Sequence, residues 1–126
     1  MNTTLSRTII TGVLFLIIFL SGFWLSRSGK PYQVIIFTLH KLIALGVFAF
    51  LVVTVYKSHQ TTPLEPLMWI AFVFTVVIFV ATVVTGGLLS IDKPVPSALA
   101  VVHNVFPYLS LLSSAGMLYL LSRLAA

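Results

Sequence analysis

Two histidines lie inside long apolar stretches that hold almost nothing else ionisable: His40, within residues 34–56, and His103, within residues 97–124. An imidazole offers one nitrogen as a metal ligand and a second that a neighbour can fix, so these side chains have the widest chemical scope in the chain. Alternatives are few. There is no cysteine, hence no disulfide, thiolate metal site or cysteine nucleophile. Glu65 and Asp92, the only carboxylates, fall in polar connecting segments. Proton-coupled transport through a buried acid and hydrolysis by a serine, histidine and carboxylate therefore lack the groups they need. The third histidine, His59, falls in the polar segment 57–66 and reads as a solvated loop residue.

The elements that must position His40 and His103 follow from composition. Of 126 residues, 60% are hydrophobic and 7% charged, with a mean hydropathy of +1.16, outside the range of soluble domains. Four apolar runs, at residues 9–25, 34–56, 67–91 and 97–124, are long enough to cross a hydrocarbon core as helices. The first reads as a transmembrane helix, because it runs on through Trp24 and Leu25 without a small-residue cleavage site. The expected fold is all-α, a single transmembrane domain over residues 1–126 forming an integral membrane four-helix bundle. Short connections allow only up-down-up-down order, with both termini on one side. No internal repeat is evident.

Seven basic residues give a formal charge of +5, and all but Lys41 stand at or beyond the ends of the apolar runs. They read as interfacial anchors, and no basic patch points to nucleic acid. With Lys41 set aside, the termini side is slightly the more basic. This predicts cytoplasmic termini, and the expected location is a bacterial inner (plasma) membrane.

In this layout the second and fourth helices run parallel, and each histidine follows its helix start by six residues. Both imidazoles then lie roughly 9 Å below the same membrane boundary. Two independently placed histidines would share depth and direction only about one time in five to ten. Diagonal helices presenting two imidazoles at one depth suit a b-type haem, whose iron takes two axial imidazoles. His40 and His103 are thus the expected iron ligands of one haem b. Gly22, Gly86 and Gly87, near that depth on the first and third helices, are expected to make room for the macrocycle, together with Ala44 and Ala100 on the ligand helices. Lys41, a charge within a span, is the expected partner of the haem carboxylates. The carbonyls of Ile36 and Leu99, or the side chains of Thr38 and Asn104, are expected to hold the second imidazole nitrogens. Pro107, four residues after His103, removes the hydrogen bond to the carbonyl of His103.

With its four-helix layout and the ligand positions His40 and His103, the chain resembles small membrane cytochromes of the cytochrome b561 and ferric-reductase-like kind. The resemblance is at the level of the fold. It implies an oxidoreductase or electron-transfer subunit working between a quinone or small reductant and another redox protein. The chain departs from those families in having two intramembrane histidines where they commonly carry four. The competing reading is a non-catalytic helical membrane subunit or assembly factor without haem, whose histidines bind neighbouring helices.

Overall fold

The computed structural model describes residues 3–124. Within them the chain is all-α, with four helices in sequence: α1 Thr3–Ser28, α2 Val34–Thr61, α3 Pro66–Leu89 and α4 Ser97–Leu124. Each is long and apolar enough to cross a membrane, which makes this an integral membrane protein. In a bilayer every backbone N–H and C=O must be paired internally, and an unbroken helix does so within one segment. The helices accordingly carry large apolar side chains on their outer faces: Leu20, Phe23, Ile70 and Leu112 are each more than 60% exposed. Lipid, not water, is the solvent that suits such a surface.

The helix boundaries have local causes. α1 ends at Gly29, whose φ of +68° lies in the left-handed region that other residues rarely adopt, and whose N–H donates to the Leu25 carbonyl at 3.1 Å. α2 begins where the Gln33 side chain accepts the Ile36 N–H at 2.7 Å. α3 begins with Pro66 in its first turn, where a missing N–H costs nothing. The Glu65 carbonyl accepts from the amides of Met68 and Trp69.

Several boundaries differ from the sequence reading: α1 spans Thr3–Ser28 against 9–25, α3 spans Pro66–Leu89 against 67–91, and α2 continues through Lys57, Ser58 and His59 to Thr61. A helix leaving the hydrocarbon keeps its hydrogen bonds until something breaks them. Here the breaker is Pro63, which has no N–H to give; the preceding Thr62 N–H still reaches the Ser58 carbonyl at 2.9 Å.

The chain divides into two compact units, residues 1–54 and 55–126. In the first, the buried residues of α1, Thr11, Phe15, Ile18 and Leu25, fall at helical spacing on one stripe, and Gly22 occupies the remaining position of that stripe. On α2 the corresponding stripe is Val47, Leu51 and Thr54, which continues from His40 and Ala44. In the second unit α3 packs on α4. Val55, Leu64, Met68, Met117 and Leu121 form its apolar core, flanked by Ala71, Phe72, Leu120 and Leu124. The buried stripe of α4 runs through Ser110, Ser114, Met117 and Leu121, two to five turns beyond His103.

Candidate functional site

His40 is the seventh residue of α2 and His103 the seventh of α4, so the two imidazoles share one register in their own helices, as the sequence predicts. Both are half-buried. What each one meets on the preceding helix is also the same in kind.

In the first unit the His40 ring lies against Gly22 of α1. A Cβ built there would stand 3.0 Å from the ring's Cε1. The residue before that glycine, Ser21, is bonded to His40 Nδ1 at 2.9 Å. The Ser21 hydroxyl also lies 3.0 Å from the Ile18 carbonyl; with its one proton given to that carbonyl, it accepts from His40 Nδ1–H.

In the second unit the His103 ring lies against Gly86 of α3, where an added Cβ would stand 2.6 Å from Cε1. His103 Nδ1 lies 3.0 Å from the Thr82 carbonyl oxygen, which can only accept. Thr85, the residue before that glycine, adds a longer contact at 3.3 Å, while its own hydroxyl donates to the carbonyls of Ala81 and Thr82. Nδ1 again carries the proton.

In a neutral imidazole whose Nδ1–H is held by a neighbour, Nε2 is the lone-pair nitrogen and the atom through which the ring ligates a metal. A hydroxyl residue, then glycine, then a histidine 17 or 18 residues later is a half-site that occurs twice, once in each unit. Read along the whole chain, the sequence hides this repeat, because little outside the half-sites matches.

His59 contrasts with this pair. It sits in the last turn of α2, half-buried, and not in a solvated loop. Its Nδ1 accepts the Leu64 N–H at 3.2 Å, and its ring meets Trp69 edge to face at 5.2 Å. Its proton is thus on Nε2, the reverse tautomer. His59 pins the turn between α2 and α3.

The other expected site residues divide. Gly22 and Gly86 are in place, but what they accommodate directly is imidazole. Gly87 is exposed, and a Cβ there would meet nothing within 4 Å. Ala44 and Ala100 are half-buried, one turn from the histidines on the same helices. Lys41 is exposed, and its Nζ lies 4.0 Å over the Phe37 ring. Phe37 in turn stacks on Tyr32 at 5.3 Å. The lysine stem thus reaches back toward the start of α2, as a cation seeking the membrane boundary does.

The expected tethers of Nδ1 are replaced. Thr38 and Asn104 are exposed, and Nδ1 bonds across the helix pair to Ser21 in one case and to the Thr82 carbonyl in the other. Ser21 stands on α1 and Thr82 on α3, the helices against which the two rings pack. A hydroxyl side chain directly before the glycine is a signal that finds Ser21 and Thr85, but not the Thr82 carbonyl.

Among the described residues no three histidine or carboxylate side chains come together as a metal site. A metal bound here by imidazoles alone would need most of its ligands from a cofactor, and a porphyrin supplies four. No protein-family model, curated protein or solved structure matches this chain.

Proposed function

We propose that the chain is a membrane b-type cytochrome in which Nε2 of His40 and Nε2 of His103 ligate the iron of one haem b. The observation that carries the reading is the matched pair of half-sites: two imidazoles at one register, each with Nδ1 hydrogen-bonded to a residue of the preceding helix. The residues present fit such a group, since a haem asks the protein for two neutral, oriented imidazoles and no further metal ligands. Ser21 and Thr82 fix the tautomer, and Gly22 and Gly86 let the rings lie close to α1 and α3.

A bound haem would supply one-electron chemistry at iron. The protein would bind it, keep water from it and set its potential. The electron donor would be a quinone or a small reductant, and the acceptor another redox protein.

The same hydrogen bonds also favour a second reading, in which Ser21–His40 and Thr82–His103 are interhelical polar contacts of a haem-free subunit or assembly factor. The test is expression with haem supplementation and purification in detergent. A Soret band that copurifies at one haem per chain is expected. Colourless protein would leave the second reading.

A further inference from the structure

The two tethers differ in a way that mutation can reach. His103 donates to a main-chain carbonyl, that of Thr82, which no substitution removes. His40 Nδ1 bonds to a side-chain hydroxyl, that of Ser21, which a single substitution deletes.

We propose that Ser21 is a positioning residue that sets the redox poise of the site through His40; this rests on the haem reading above. The physical chain is short. An acceptor on Nδ1–H draws that proton away from the ring, which makes Nε2 a stronger donor and favours the more highly charged, oxidised metal. The Ser21 hydroxyl is a better acceptor than an isolated one, because donating to the Ile18 carbonyl at 3.0 Å polarises its oxygen. Its position is fixed as well. Ser21 is half-buried and next to the glycine that seats the ring, so the hydroxyl and the ring edge are presented by consecutive residues of α1.

Removing the Ser21 hydroxyl therefore weakens the donor strength of one ligand and loosens its orientation, while the helix keeps every main-chain bond. Thr85 offers the internal comparison. Its hydroxyl is only the longer, second acceptor of His103 at 3.3 Å, and the Thr82 carbonyl stays after Thr85→Val.

The experiment is a redox titration with electron paramagnetic resonance of the full chain, its Ser21→Ala, Ser21→Thr and Thr85→Val variants in one detergent at one pH. Ser21→Ala is expected to shift the oxidised-to-reduced equilibrium about tenfold toward the reduced state, which for one electron raises the midpoint by about 59 mV. Its low-spin g-values should move with it. Ser21→Thr, which keeps a hydroxyl on the same carbon, should restore both, and Thr85→Val should shift them less than Ser21→Ala does.

Haem loss from Ser21→Ala with retention in Ser21→Thr would also support the positioning role. Loss from both, or a Ser21→Ala midpoint and g-values equal to those of the unaltered protein, would overturn it while leaving the haem reading intact. If the unaltered protein binds no haem, the reading beneath it fails first.

Discussion

Replacing Gly86 with alanine tests the half-site at its tightest contact. The new Cβ would stand 2.6 Å from His103 Cε1, 3.2 Å from Nδ1 and 3.3 Å from Nε2. Ordinary contact begins near 3.4 Å, so the ring must retreat by about 0.8 Å at Cε1. A displacement of that size is enough to take the 3.0 Å bond from Nδ1 to the Thr82 carbonyl beyond hydrogen-bonding distance. Losing a partly buried hydrogen bond costs about 1–3 kcal/mol, and the gain of alanine over glycine in a helix, about 1 kcal/mol, offsets only part of it. Misplacing a ligand typically lowers metal affinity about 10–100-fold. Gly22→Ala should act in the same direction but less, since its Cβ meets the His40 ring at 3.0 Å and a shift of a few tenths of an ångström relieves it. Gly87→Ala, with nothing within 4 Å, should keep full occupancy and gain slightly in thermal stability. The assay is the haem-to-protein ratio of the purified variants, alongside their unfolding midpoints. Full occupancy in Gly86→Ala together with loss in Gly87→Ala would show that the contact between Gly86 and the His103 ring does not govern haem binding.

Three further outcomes are expected. His40→Ala and His103→Ala should each abolish the low-spin spectrum. His59→Ala should keep it and lose about 1 kcal/mol of stability with the Leu64 N–H bond; a bleached His59→Ala beside an intact His103→Ala would reverse the ligand assignment. Lys41→Gln should lower the midpoint potential with an unchanged ligand spectrum, because a nearby cation favours the less positive, reduced haem. An unchanged midpoint would leave Lys41 with its Phe37 contact alone. Gly29→Ala should cost roughly 1–2 kcal/mol of stability through its left-handed backbone with no change in the spectrum, measured by thermal unfolding in detergent.

The starts of α2 and α4, and with them the common register of His40 and His103, were legible because Pro31 and Pro96 stand just ahead of uninterrupted apolar runs. The far end of α2 was not. Lys57, Ser58, His59 and Gln60 are polar enough to read as loop, but polarity does not break a helix that is emerging into headgroups; Pro63 does. Gly22 and Gly86 were legible as close-approach positions, whereas the imidazole each one meets was not, since a missing Cβ looks the same whatever lies against it; Gly87 meets nothing within 4 Å. Ser21, Thr82 and Thr85 stayed hidden because their role lies across a helix pair. One-helix periodicity shows what shares a face, not what faces it.

In the function proposed above, both imidazoles ligate one iron. This ligation is tested most directly by electron paramagnetic resonance of the oxidised, haem-supplemented protein, with haem and protein quantified in the same sample. A low-spin bis-imidazole signal at one haem per chain, lost in both His40→Ala and His103→Ala, is expected. A high-spin signal, or a low-spin signal that survives either substitution, would contradict ligation by both imidazoles.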